Sequence, residues 1–135
     1  MEDWQPVVNA LVEHFDSSPA QRVVLLDGNL GAGKTTFVQL LMKRLGGNSL
    51  VQSPTFSLVN KYETSGGGVV YHIDLYRLND QSELIEAGIL DAVDSGALCF
   101  IEWGALVEPF LGNHFIRVHI ETAENGNRTV TLHGV

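Results

Sequence analysis

Residues 23–36 read VVLLDGNLGAGKTT, and this stretch decides the fold. Its first four residues are apolar and partly β-branched, which predicts a buried strand ending near Asp27. The stretch from Gly28 to Thr35 then matches G-x-x-x-x-G-K-[ST], a glycine-rich loop whose backbone N–H groups point at phosphate oxygens. From Thr35 to Leu45, apolar residues at helical spacing predict a helix that stops at Gly46. A phosphate-binding loop requires this order of strand, loop and helix.

The loop predicts a bound nucleotide. Its glycines let the backbone approach phosphates closely, and the positive end of the following helix adds to the attraction. Lys34 is expected to contact the β and γ phosphates, and the Thr35 hydroxyl to coordinate Mg²⁺. The expected nucleotide contacts are Asn29, Leu30, Gly31, Ala32, Gly33, Lys34, Thr35 and Thr36. Asn60 to Glu63 differs from the guanine-reading pattern N-K-x-D in its last residue, so ATP is favoured over GTP.

Alternating strands and helices continue along the rest of the chain. A first helix from Trp4 to Phe15, capped by Asp3, is expected to end before Ser17. The later elements are strands over 56–62, 69–73 and 97–101, a helix capped by Ser82 and broken at Gly88, and a hairpin of 115–120 with 129–133. The sequence therefore predicts an α/β fold, a P-loop NTPase-type three-layer sandwich. Its central sheet is mostly parallel, with an antiparallel hairpin at the C-terminal edge.

Length and composition limit the possible functions. The 135 residues suffice for one domain, expected to span 1–135, with little room for a second. Eight Lys and Arg against sixteen Asp and Glu give a formal net charge of −8, which disfavours direct binding of nucleic acid. Cys99 is the single cysteine, so an internal disulfide is excluded and a reducing, cytoplasmic setting is expected. Neither a membrane span nor a signal peptide is expected.

Two predicted strands end in a carboxylate, and a phosphate-binding loop needs such a group to fix Mg²⁺. Glu102 is expected to bind Mg²⁺ or orient water, and Asp74 to hold metal-bound water, although either acid alone could be a solvated strand end. The chain itself does not indicate which lies closer to the metal. Trp103 has three open roles: covering the nucleotide, contacting a partner or closing the core. His72 is at least as consistent with a structural role as with a catalytic one.

Four sequence blocks together resemble the TsaE (YjeE) family over nearly the whole chain. They are GNLGAGKTTF from Gly28, SPTFSLV from Ser53, HIDLYR from His72 and IEW from Ile101, and the second and third make the resemblance specific. The resemblance implies a bacterial ATPase that is required for N6-threonylcarbamoyladenosine at position 37 of tRNA. It also implies action with the TsaB and TsaD proteins, whose complex is reset by ATP hydrolysis, with tRNA contacted only indirectly.

The resemblance carries roles over to individual residues. It implies that Lys34 and Thr35 bind phosphate and Mg²⁺, that Asp74 and Glu102 are the site carboxylates, and that Trp103 is the adjoining aromatic residue. It places Thr55 in a loop that responds to the γ phosphate, whereas Ser53 to Phe56 taken alone are better explained as a turn with a packed phenylalanine.

Two of these blocks depart from the family pattern. Asn29 replaces the usual Asp of the loop, and Gly104 with Ala105 replaces the Pro and acid that commonly follow the Glu-Trp pair.

Weak hydrolysis by the chain alone is the leading expectation, with stimulation by the partners. Two alternatives stay open: a scaffold that binds ATP without productive hydrolysis, and a small-molecule kinase.

Overall fold

A computed structural model describes residues 4–18, 22–28, 33–47, 58–65, 68–112 and 114–134. The strands in these ranges are β1 (Val23–Asp27), β2 (Val59–Glu63), β3 (Val69–Asp74), β4 (Leu98–Glu102), β5 (Ile116–Thr122) and β6 (Arg128–His133). They form one sheet in the order β2-β3-β4-β1-β5-β6. The pairs β3-β4, β4-β1 and β1-β5 are parallel, while β2-β3 and β5-β6 are antiparallel.

Helices cover both faces of this sheet. They are α1 (Gln5–Ser17), α2 (Lys34–Arg44), α3 (Gln81–Glu86) and α4 (Ile89–Asp94), followed by two short 3₁₀ turns at Gly104–Leu106 and Glu108–Phe110. Alternate residues of β1 divide between the two faces: Val24 and Leu26 pack with α1 and α2, while Val23 and Leu25 pack with α3, α4 and the 3₁₀ turns. The α/β three-layer prediction is confirmed.

The central strands are apolar because helices cover them on both sides. All five residues of β4 are buried, as are the first four of β1. The outer strand β6 instead alternates between half-buried and exposed residues, since only one of its faces meets the core. The antiparallel C-terminal hairpin is confirmed, and its turn contains Gly126 in the left-handed conformation, with φ 85°. The β2-β3 pair makes the opposite edge antiparallel as well.

The start of α3 differs from the sequence expectation. Asp80 caps α3 in place of Ser82: its carboxylate accepts hydrogen bonds from the Ser82 hydroxyl at 2.6 Å and from the Glu83 N–H at 3.2 Å. These two bonds hold the pKa of Asp80 below its ordinary value. The cap expected at Asp3 lies outside the described residues, and α1 extends to Ser17. Gly88, at φ 73°, separates α3 from α4 where the break was predicted.

No helix in the described ranges has the length and apolar character needed to cross a lipid bilayer.

The Cys99 thiol gives a test of the buried central sheet. Cys99 lies in β4 with no exposed surface, and burial raises the pKa of its thiol to about 12. Because only the thiolate reacts, we expect a disulfide reagent at pH 8 to label the native chain about 10³-fold more slowly than the urea-unfolded chain.

The same pKa difference links Cys99 to stability. The folded pKa lies above the unfolded one, so the thiol's contribution to stability is complete below about pH 8.5 and is lost as the pH rises towards 12.

Native labelling as fast as that of the unfolded chain would contradict this placement of β4. The urea-unfolded sample also controls for the intrinsic reactivity of the thiol.

Candidate nucleotide site

Polar residues gather at the carboxyl ends of three adjacent parallel strands. Asp74 ends β3, Glu102 ends β4, and Asp27 with Gly28 follows the apolar part of β1. The strand register sets Asp74 opposite Glu102 and Glu102 opposite Leu26. Ligands of open α/β sheets bind at this edge, because the loops that leave the strands converge there. The parallel sheet thus brings distant acidic residues to the end of the glycine-rich loop.

Lys34 is a buried cation at the first turn of α2. Its side chain is only 6% exposed, and its Nζ donates a hydrogen bond to the Gly28 carbonyl at 2.9 Å. The same Nζ lies 3.8 Å from Glu102 Oε1 and 4.7 Å from the centre of the Trp103 ring. Lysine is rarely buried without a charged partner. Its cost of burial is reduced here by a carbonyl, a carboxylate and an aromatic face.

Gly33 precedes α2 in a conformation that suits glycine alone, with φ 105°. A Cβ at this position would lie 2.7 Å from an Arg128 guanidinium nitrogen and 2.9 Å from the Trp4 ring. Trp4 also packs against Phe37, with ring centres 6.0 Å apart. Arg128 of β6 and Trp4, which directly precedes α1, therefore enclose the end of the loop next to Lys34.

Glu102 has both carboxylate oxygens directed at basic side chains. Oε1 faces Lys34, and Oε2 lies 2.6 Å from His72 Nε2. Glu102 is 5% exposed and His72 is fully buried. An ionised carboxylate only accepts hydrogen bonds, so the imidazole donates from Nε2. Two fixed basic groups thus hold the orientation of the carboxylate.

Asp74 is held by the backbone around it. Its Oδ1 accepts a hydrogen bond from the Tyr76 N–H at 2.9 Å, and its own N–H donates to the Leu58 carbonyl at 2.9 Å. Leu58 has φ 65°, which costs a non-glycine residue on the order of 1–2 kcal/mol. A carboxylate 7% exposed and positioned by the main chain is a suitable ligand for a hydrated cation.

Trp103 follows Glu102 in a left-handed conformation, with φ 57°. Its ring packs against Tyr76 at 5.0 Å between ring centres and is 39% exposed, while Tyr76 is 58% exposed. Strained backbone of this kind persists only where the surroundings require it. Here it places the indole over Lys34, at the surface of the protein and outside the buried core.

A cavity of about 400 Å³ opens beside these residues. Its lining comprises Leu26, Asp27, Gly28, Lys34, Trp103, His119, Ile120 and Glu121. Next to it, the Arg117 guanidinium donates hydrogen bonds to Asp27 and Glu108, and these bonds raise the pKa of Arg117 above its ordinary value. Arg117 thereby ties β5 to the residue at which β1 meets the loop.

The structure brings together several residues singled out from the sequence. Glu102 and Trp103 both lie next to Lys34, and Asp74 is paired with Glu102 in the register of β3 and β4. Thr35 is half-buried and Thr36 exposed in the first turn of α2. Asn29, Leu30, Gly31, Ala32 and Thr55 lie outside the described residues.

A family profile decides the relationship that the four sequence blocks indicated. The profile described as "Threonylcarbamoyl adenosine biosynthesis protein TsaE" matches residues 2–130. The chain belongs to the TsaE family.

Individual relatives agree with this assignment. The TsaE protein of Rickettsia felis is 39% identical over 111 residues, which cover 82% of this chain and 64% of the relative. The TsaE protein of Treponema pallidum is 35% identical over 129 residues, covering 96% of this chain and 90% of the relative. Each is named as a tRNA threonylcarbamoyladenosine biosynthesis protein. The chain spans less than two thirds of the length of the Rickettsia felis and Rickettsia conorii proteins.

A solved structure shows the same architecture. The crystal structure of Bacillus subtilis YdiB superposes with a TM-score of 0.68 at 26% identity, covering 98% of this chain and 80% of that one. The TsaE protein of the same species is 35% identical over 113 residues, or 84% of this chain and 70% of the relative. The TsaE fold thus extends over nearly the whole chain.

The sequence did not predict every residue of this candidate site. The sequence analysis did not decide between a structural and a catalytic role for His72. It assigned no function to Arg117, His119 or Glu121. The sequence near His72 and near Arg117 gave no signal for their contacts, because the partners are distant along the chain. His72 contacts Glu102, 30 positions away, and Arg117 contacts Asp27, 90 positions away. The usable signal was alternation: Val70, His72 and Asp74 share one face of β3, so the histidine faces the same side as the site carboxylate.

Proposed function

We propose that this TsaE-family chain is a Mg²⁺-dependent ATPase subunit of the machinery that makes N6-threonylcarbamoyladenosine in tRNA. In this proposal it hydrolyses ATP in complex with the TsaB-TsaD pair and resets that pair for further turnover. The observation that carries the proposal is the arrangement of Lys34. A buried lysine ends a glycine-rich loop, begins a helix and faces a strand-end carboxylate.

The donor groups at the site fit a magnesium nucleotide. Lys34 and the N-terminal N–H groups of α2 are suited to phosphate oxygens, and carboxylates and hydroxyls are ligands that Mg²⁺ prefers. We assign Thr35 and Glu102 to the metal and Asp74 to its bound water. When bound, Mg²⁺ neutralises charge on the β and γ phosphates. We also assign to Glu102 the orientation of the attacking water, since it is a buried strand-end carboxylate that faces Lys34.

Dependence on a partner follows from what fast hydrolysis requires. Water must be oriented and developing charge neutralised, and many nucleotidases receive a group for this from another protein. The exposed Trp103 ring lies next to Lys34 and packs against the exposed Tyr76 ring, and this pair offers a surface on which a partner can approach the phosphates. The net charge of −8 supports indirect contact with tRNA, through the partners.

Phosphate release from Mg-ATP tests the proposal. We expect the chain alone to turn over at least about 100-fold more slowly than the roughly 10 per second of typical enzymes. Addition of the TsaB-TsaD pair is expected to raise the rate at least about tenfold. Each partner added singly serves as the control. An unchanged rate with the pair, or fast turnover by the chain alone, would exclude partner-dependent hydrolysis.

A further inference from the structure

His72 is the buried polar side chain of β3 that the proposed mechanism has not yet used. It has no exposed surface, and its Nε2 lies 2.6 Å from Glu102 Oε2. Its second nitrogen, Nδ1, has no hydrogen-bond partner among the described residues. An unpaired buried polar atom costs about 1–3 kcal/mol. A residue needed only for packing would be apolar, as Val70 is on the same face of the strand.

The two contacts of Glu102 are unequal. The contact with His72 is a short hydrogen bond, whereas the 3.8 Å between Glu102 Oε1 and Lys34 Nζ exceeds the usual length of a charge-assisted bond, about 2.8 Å. Both side chains are almost fully buried, where attraction between opposite charges is stronger than in water. Glu102 would therefore be expected to close onto Lys34 unless another group held it back.

We propose that His72 is a positioning residue that restrains the Glu102 carboxylate and keeps Lys34 free for phosphate. The imidazole holds one carboxylate oxygen, so the other stays short of a direct ion pair with the lysine. Without this restraint, Glu102 would neutralise Lys34 and turn away from the water it orients. The inference deepens the proposed function and rests on it.

Two substitutions separate the hydrogen bond from the packing. In His72→Gln the side-chain amide can reach the position of Nε2 and donate, whereas in His72→Asn it is too short to do so. We expect His72→Asn to weaken binding of Mg²⁺ with a non-hydrolysable ATP analogue about tenfold and to lower partner-stimulated kcat by about 10- to 100-fold. His72→Gln is expected to recover most of both losses.

A double-mutant cycle identifies Glu102 as the group through which His72 acts. In a Glu102→Gln background the neutral amide has little attraction for Lys34. Adding His72→Asn is therefore expected to leave the affinity for the ATP analogue within about twofold of that of the Glu102→Gln variant. Equal losses from His72→Asn in both backgrounds, or no difference between the Asn and Gln variants, would show a packing role and overturn the proposal.

A spectroscopic measurement covers the case in which the His72 variants do not fold. In the otherwise unchanged chain, the ¹⁵N shift of His72 Nε2 is expected to move on Glu102→Gln while other histidine rings stay unchanged. An unmoved shift would overturn the inference. Failure of the proposed function is recognised separately, because the TsaB-TsaD pair would then leave the rate of phosphate release by the unsubstituted chain unchanged.

Discussion

Replacing Lys34 with alanine is expected to abolish partner-stimulated ATP hydrolysis, with a loss of at least about 10³-fold. Lys34 is the buried cation at the end of the loop, and its Nζ already points back at the Gly28 carbonyl and at Glu102. The substitution removes a charge placed to stabilise the transferred phosphoryl group in a site where little water screens it. Phosphate release and analogue affinity, measured with the TsaB-TsaD pair present, check the prediction.

Lys43 provides a matched control for this substitution. It lies in the last turn of the same helix, α2, and is exposed, so Lys43→Ala removes the same charge from the same element. We expect Lys43→Ala to retain at least about half of the stimulated rate, because exposed charges contribute little at a distance. Comparable losses in the two variants would place the phosphate site elsewhere.

Replacing Glu102 with glutamine is expected to lower the stimulated kcat by about 10²- to 10³-fold. Glutamine keeps the shape of the side chain and can still accept the hydrogen bond from His72, but it loses the negative charge to which we assign metal binding or water orientation. Affinity for the ATP analogue is expected to stay within about tenfold, since Lys34 and the loop remain. Single-turnover hydrolysis and calorimetric binding separate these two effects.

Glu63→Gln is the corresponding control. Glu63 ends β2 opposite Val69, at the other end of the sheet from the site, and is exposed. An unchanged rate in this variant would exclude a general effect of charge removal. A Glu102→Gln variant that hydrolysed ATP like the unsubstituted chain would contradict the assigned role.

The Glu102 variant also separates hydrolysis from nucleotide binding. If it supported full tRNA modification while Lys34→Ala did not, ATP would act by ordering a binding surface, as in the scaffold alternative. The kinase alternative predicts transfer of phosphate to a small acceptor in place of its release. Assaying tRNA modification, phosphate release and acceptor phosphorylation on one set of variants discriminates among the three.

Local sequence patterns predicted most of the individual strands and helices. The apolar run at Val23–Leu26 predicted β1, and the break at Gly88 separates α3 from α4 as expected. The cap of α3 was assigned to Ser82 but belongs to Asp80, because competing hydroxyl and carboxylate caps two residues apart are hard to rank from sequence. The antiparallel pairing of β2 with β3 at the second edge was not predicted, although the SGGG stretch from Ser65 between the two strands indicated a turn.

The sequence by itself determined the fold class and the family, and it predicted the phosphate-binding loop, because each rests on residues that are contiguous or in ordered blocks. It also identified Asp74 and Glu102 as strand-end acids. Only the tertiary structure decided that Glu102 lies between Lys34 and His72, and that Arg117 joins Asp27 to Glu108. These contacts depend on strand order and register, which the packing of the whole sheet sets and no single segment encodes.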